Sequence, residues 1–225
     1  MSRRGAFIVV EGLDRSGKTT QTNLLCEHLS KIGDRPVKLI KFPDRTTPIG
    51  QMIDNYLRSK SELDDHAIHL LFSANRWEMR SSLLQLLNEG ITVICDRYAF
   101  SGVAFTFAKS LVASAPESTR KLTYEWCRTP DAGLPAPDLI LFLDISAEVA
   151  KLRGGYGDER YEKAELQQRV REVYKRIQDD MQTSGVHWIS INASHEMEVV
   201  KQEICSYVKD LSNGVNEPIK SLWLT

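Results

Sequence analysis

Phe7 to Thr20, FIVVEGLDRSGKTT, decides how the rest of the chain reads. Phe7-Ile8-Val9-Val10 is a short apolar run that stops at Glu11-Gly12. Gly12-Leu13-Asp14-Arg15-Ser16-Gly17-Lys18-Thr19 then matches the phosphate-loop pattern GxxxxGK[ST], and a helical pattern with Leu24, Leu25, Cys26 and Leu29 on one side follows. Strand, glycine loop and helix come in the order that pattern needs. The two glycines let the loop curl with its N–H groups pointing inward, and the helix adds a positive dipole end facing the same anion. Arg15, Ser16, Gly17, Lys18, Thr19 and Thr20 are therefore expected to hold a nucleoside triphosphate. Lys18 sets a compact charge on the outer phosphates, and Thr19 offers a hydroxyl to Mg²⁺. Arg15 adds a cation that could reach the transferring oxygens, as an arginine finger supplied in cis would; the bland alternative is a solvated loop charge.

The whole chain sets the bounds. Its 225 residues suffice for one sizeable core, and 42% apolar with 26% charged residues is ordinary for a soluble globular protein. A formal net charge of −1 gives no basic field for nucleic acid or an anionic membrane, so neither is expected as a partner. Cys26, Cys95, Cys127 and Cys205 are widely spaced with no CxxC, which suggests reduced thiols rather than a zinc site or disulfide framework. The N-terminus runs straight into the first strand, and no long apolar span occurs. The expected location is the cytosol, with the nucleus left open.

Further along, Val37 to Phe42, Ile91 to Cys95, Leu139 to Leu143 and His187 to Ile191 read as four more strands. Between them lie helical patterns: a first helix to about Ile32, then Pro48 to Ser59, Asp64 to Asn88, Ser101 to Leu111, Glu117 to Cys127, Ala164 to Met181 and Met197 to Leu211. Five apolar strands separated by helices predict an α/β fold, a five-stranded parallel sheet covered on both faces. With no repeat and no linker, residues 1–225 are expected to form one domain. The glycine-rich, charged segment at about 153–165 reads as a mobile lid. Ligands in such folds sit outside the carboxyl ends of the strands, where Asp14 to Thr19, Phe42 to Arg45 and Asp96 to Tyr98 all fall.

An intact phosphate loop leaves the acceptor open: water, a hydroxyl or another phosphate. A lid that excludes water argues for transfer over hydrolysis, and no base-reading NKxD-type element of a GTPase is present. Arg45 and Arg97 lie at the strand-end rim, in addition to Lys18 and Arg15. Guanidinium forks suit phosphate oxygens, and a monophosphate acceptor needs neutralising charge rather than a base. A hydroxyl acceptor would need a carboxylate base, and Asp96 could serve; the favoured role for Asp96 is to help hold Mg²⁺. Phe72 and Arg76, four apart on one helix face, could stack on a base and bond its edge, or be core and solvated residues respectively.

Asp96-Arg97-Tyr98 with the phosphate loop, Phe42-Pro43-Asp44-Arg45, His69 to Glu78 (HLLFSANRWE), Ser101 to Phe105 (SGVAF) and Glu159 to Glu162 (ERYE) resemble the thymidylate kinases, in their eukaryotic form, over nearly the whole chain. The resemblance implies transfer of the ATP γ-phosphoryl group to dTMP, with Mg²⁺, by a homodimer whose long helix around Phe72 contributes to the interface. It implies that Phe72 stacks on thymine, Arg76 bonds the base edge, and Arg45 and Arg97 hold the dTMP phosphate. It also implies that Asp14 accepts from the sugar 3′-hydroxyl, that Phe42, Gly102 and Phe105 belong to the dTMP pocket, and that Tyr161 sits near the sugar 2′ position. Arg15, Lys18, Asp96 and Arg97 would be the catalytic residues. Arg153 corresponds to the lid arginine near ATP, and Asn192 and His195 lie in the segment that looks like the adenine-side loop. Two departures stand out: residues 109–120 look longer than the family's linker, with a surface loop as the plain reading, and His195 replaces an expected lysine. The competing readings are a deoxynucleoside kinase on the same fold and a catalytically silent nucleotide-binding protein.

Overall fold

The computed structural model describes residues 3–153, 160–161 and 164–224. The five strands are β1 (Phe7–Gly12), β2 (Val37–Lys41), β3 (Thr92–Asp96), β4 (Leu139–Asp144) and β5 (His187–Asn192). They pair in parallel in the order β2-β3-β1-β4-β5, so the strand that feeds the phosphate loop lies at the centre. All six residues of β1 are buried, as a strand covered on both faces requires. Most of the expected lid, 154–159 and 162–163, falls outside the described residues.

Helices cover the sheet. These are α1 (Lys18–Ile32), α2 (Pro48–Leu57), α3 (Asp65–Asn88), α4 (Ala99–Ser110), α5 (Glu117–Arg120), α6 (Tyr124–Arg128), α7 (Ala147–Leu152), α8 (Ala164–Thr183) and α9 (Met197–Val208). Thr47 caps α2, accepting from Gly50 N, and Asp64 caps α3, accepting from His66 N. The helix expected over Glu117 to Cys127 is in fact two. Thr123 takes extended dihedrals and accepts from Trp126 N, starting α6 afresh, while Leu122 turns into the core. The last helix stops at Val208 and tightens into a 3₁₀ turn over Lys209–Asn213.

The stretch at 109–120 is mostly exposed, as a surface loop is expected to be, and is tied down at two points. Thr119 is buried and donates to Asp65 Oδ2 at 2.6 Å, while Lys109 pairs with Asp65 Oδ1. At the opposite end of the sheet from the phosphate loop, Arg4 and Val215 exchange two backbone hydrogen bonds, 3.1 and 2.9 Å, and Arg4 forks onto the Asp138 carboxylate. The four cysteines are free thiols, and no described helix is long and apolar enough to cross a membrane.

Candidate active site

The carboxyl ends of β1, β2 and β3 open into a cleft of about 520 Å³. Its phosphate-loop side carries Asp14, Arg15, Gly17, Lys18, Thr19 and Thr20, and its far side carries Phe72, Arg76, Gly102, Phe105 and Tyr161. Phe42, Arg45, Asp96 and Arg97 line it as well. Residues spread over the sequence from 14 to 161 thus meet in one space, as the rim argument expects.

Each side chain has a local cause. Gly17 caps α1 at φ +87, a left-handed conformation that costs glycine nothing. Lys18 turns back into the loop, donating to the Leu13 carbonyl at 2.5 Å and lying 3.4 Å from Ser16 Oγ. Burial first, then the charge of Arg97, push its ammonium down from the usual lysine range to about 7. Thr19 Oγ1 donates to Asp96 Oδ2 at 2.7 Å, and Lys41 Nζ lies 3.8 Å from the same oxygen. Asp96 Oδ1 is buried with no hydrogen-bond partner among the described residues. A hydroxyl and a carboxylate side by side, one oxygen unspent, are the hard donors Mg²⁺ takes.

Arg97 and Arg15 both hold positive φ, 67° and 63°. Non-glycine residues rarely do so away from functional turns. Arg97 donates through Nη1 to the Gly12 carbonyl and Ser101 Oγ, each at 3.1 Å, and pairs through Nη2 with Asp14 Oδ1. Burial alone would lower its pKa, but Asp14, Glu11 and Asp96 around it hold it further up, so the guanidinium stays charged. Arg45 pairs with Asp54 at 2.6 Å. Arg153 reaches across the loop, donating to the Arg15 carbonyl at 3.1 Å and the Ala193 carbonyl at 2.6 Å. Asn192 and His195 touch each other at 3.2 Å on that same flank, beside β5 and apart from the residues lining the cleft.

The aromatic end is built on α3 and α4. Arg76 is buried and donates through Nε and Nη2 to both oxygens of Asp131, at 2.9 and 2.6 Å. Its guanidinium lies over Gly102, where an added Cβ would come within 2.8 Å of Nη2. Phe105 packs on Tyr161 with ring centres 5.4 Å apart, and Arg97 lies 5.5 Å from the Phe105 ring centre.

Several contributors escape a motif reading. Glu11, wholly buried, accepts from the backbone N–H groups of Tyr98 and Ser101 and from the hydroxyls of Ser101 and Tyr174. It ties the end of β1 to the start of α4, and a lone carboxylate closing an apolar strand was the signal for it. Asp131 lies in the proline-rich loop and carries no such signal. Gln167 on α8 donates to Asp14 Oδ2 at 2.7 Å and to the Tyr161 carbonyl at 2.9 Å, and accepts from Asp14 N at 3.2 Å. Asn75 holds the turn after β2 by accepting from Asp44 N.

A family model described as thymidylate kinase matches residues 10–204. A thymidylate kinase of Danio rerio is 47% identical over 226 residues, covering 98% of each chain. One of Homo sapiens is 41% identical over 223 residues, covering 99% of each. A solved thymidylate kinase structure from Candida albicans is similar at a TM-score of 0.85 and 38% identity, covering 99% of this chain and all of that one.

Proposed function

The chain belongs to the thymidylate kinase family, and from that premise we propose how its cleft passes the γ-phosphoryl group of ATP to dTMP. The products are dTDP and ADP. The observation that carries this reading is that Arg15, Lys18 and Thr19 line one cleft together with Phe72, Arg76, Gly102 and Phe105. Arg97 links the two groups, pairing with Asp14 and lying 5.5 Å from the Phe105 ring centre, and Arg45 lines the same cleft.

On this reading Ser16, Gly17, Lys18, Thr19 and Thr20 cradle the donor phosphates. Lys18 and Arg15 offset the charge that spreads over the transferring group, and in-line transfer asks for little beyond that positioning and charge. Thr19 and Asp96 would hold Mg²⁺, which when bound neutralises charge on the bridging phosphate oxygens. Arg97 and Arg45 hold the dTMP phosphate. Asp14 accepts from the 3′-hydroxyl, Phe72 stacks on thymine and Arg76 donates to the base edge. Phe42, Gly102 and Phe105 shape the nucleoside pocket, and Tyr161 stands by the 2′ position. Arg153, Asn192 and His195 serve the donor side.

We also take the 1–225 chain to work as one domain and as a homodimer joined along α3, in the cytosol. The exposed Leu70 and Trp77 of α3 and the four free thiols support this. The test of the function is a coupled ADP-release assay with MgATP, offering dTMP, thymidine, dUMP, dCMP, dGMP and no acceptor in parallel. Turnover mainly on dTMP is expected. Turnover mainly on thymidine would replace this reading with a nucleoside kinase using Asp96 as base, and silence with ATP still bound would leave a binding protein.

A further inference from the structure

Beside the aromatic end of the cleft lies a charge that none of the assigned roles uses. Lys109 on α4 is mostly buried and donates from Nζ to Tyr56 Oη at 2.9 Å and to Oδ1 of Asp65. The other Asp65 oxygen accepts from the buried Thr119 hydroxyl at 2.6 Å. Lys109 Nζ also lies 4.7 Å from the Tyr161 ring centre. Burial alone would lower the ammonium, but the oxygens of Tyr161, Tyr56 and Asp65 around it hold its pKa up, so it stays charged. A charge withdrawn from water is costly unless its contacts are kept, and this fixes its position.

Tyr161 is held at its ring and at its backbone. Phe105 and Lys109 are one helical turn apart on α4 and share a face. The Phe105 ring packs on Tyr161 with centres 5.4 Å apart, and Tyr56 meets it edge-on at 6.2 Å. The Tyr161 carbonyl accepts from Gln167 Nε2, the same nitrogen that donates to Asp14 Oδ2. One amide therefore joins Tyr161 to the carboxylate assigned to the sugar 3′-hydroxyl, and Tyr161 lines the cleft with Phe105. A sugar whose 3′-hydroxyl meets Asp14 presents its 2′ position, one bond away, to Tyr161.

We propose that Lys109 is a positioning residue for sugar specificity: it pins Tyr161 where a 2′-hydroxyl would collide with it, so that the cleft takes a deoxyribonucleotide and turns away the ribonucleotide of the same base. This rests on the cleft being the dTMP site. Lys109 is not among the described residues that line the cleft, so it acts through Tyr161. Exclusion by collision needs a wall that does not yield, because one added hydroxyl is a small difference for a cavity to sense. The tie from Thr119 through Asp65 and Lys109 to Tyr161 gives the 109–120 stretch a consequence at the sugar.

The experiment compares kcat/KM for dTMP and for ribothymidine 5′-monophosphate, which adds only the 2′-hydroxyl. The variants are Lys109→Met, Tyr56→Phe, Tyr161→Ala and the double variant of Lys109→Met with Tyr161→Ala, each also measured for the KM of ATP. Lys109→Met keeps most of the side chain's length and removes the ammonium. It is expected to narrow the preference for dTMP about tenfold, with the KM of ATP unchanged. Tyr161→Ala is expected to narrow it at least as far, and the double variant to go no further than Tyr161→Ala. Tyr56→Phe removes one acceptor of the lysine and is expected to narrow the preference about threefold. An unchanged preference in folded Lys109→Met, or a matching rise in its KM of ATP, overturns the positioning role. Further narrowing in the double variant overturns the route through Tyr161. If Lys109→Met does not fold, Tyr56→Phe decides, and an unchanged preference there overturns the proposal. A wild-type enzyme that turns over both nucleotides alike overturns the sugar filter, whereas one silent on dTMP would overturn the substrate reading instead.

Discussion

Lys18 shows how much of the cleft's behaviour is set by single charges. In the free protein its ammonium is lowered to about 7 by burial and by Arg97, whereas a bound triphosphate favours the charged form. Above about pH 7, nucleotide binding must therefore draw a proton onto Lys18, and below it the proton is already there. Calorimetric titration of MgADP at pH 8 in buffers of different ionisation enthalpy should report net proton uptake, fading towards pH 6. Affinity should weaken as pH rises above 7, by a factor approaching tenfold per unit. Identical enthalpies in all buffers at pH 8 would contradict this. Asp131 offers a second case. With no exposed surface, it holds the buried Arg76 by two hydrogen bonds. Asp131→Asn leaves that guanidinium without its counter-charge, and a loss of roughly 3–5 kcal/mol in unfolding free energy is expected, read from denaturant melts. The place of Arg97 in the cleft was legible from its offset from a strand end, whereas helix spacing left Phe72 and Arg76 open to a core and a solvated reading and only the family resemblance pointed to them. Asp131 was not legible, because its partner Arg76 lies 55 residues away and no local pattern records a pairing made by tertiary packing.

Among the elements, α4 is the one whose small residue sets a large neighbour's place. A methyl group at Gly102 would meet Arg76 Nη2 at 2.8 Å, and the guanidinium is pinned from the other side by Asp131. Gly102→Ala should raise the KM of dTMP about tenfold through displaced Arg76, leaving the KM of ATP near wild type; equal shifts in both would point to a general disturbance of the cleft. The strands were readable because β-branched apolar runs bounded by Gly, Pro and Asp leave few alternatives. The break between α5 and α6 was not, since Glu117 to Cys127 keeps a helical spacing of apolar residues. What interrupts it is the Thr123 cap and the burial of Leu122, a tertiary preference overriding a local one. The segment at 109–120 is mostly exposed, as the surface-loop reading expected, but the Thr119 and Lys109 contacts on Asp65 that bind it to the first turn of α3 have no local signature.

For the molecule as a whole, the exposed face of α3 is the feature with the clearest consequence for assembly. Leu70 is 48% and Trp77 39% exposed, seven residues apart and so on one side of the helix. If the homodimer forms there, Leu70→Glu should shift the mass seen by sedimentation from two chains towards one at micromolar concentration, and an unchanged mass would move the interface elsewhere. The α/β class and the parallel sheet followed from strand and helix alternation, but the strand order did not, because periodicity says which residues face inward and not which strand lies beside which. That order puts β1 in the middle, and it also explains the clasp at the other end of the sheet. Arg4 and Val215 lie hydrogen-bonded to each other below the amino ends of the strands, a full strand length from the phosphate loop. Whatever is hung on the protein beside this clasp therefore stands clear of the chemistry on the rim, so that a bulky label coupled there would leave the active surface open to both nucleotides.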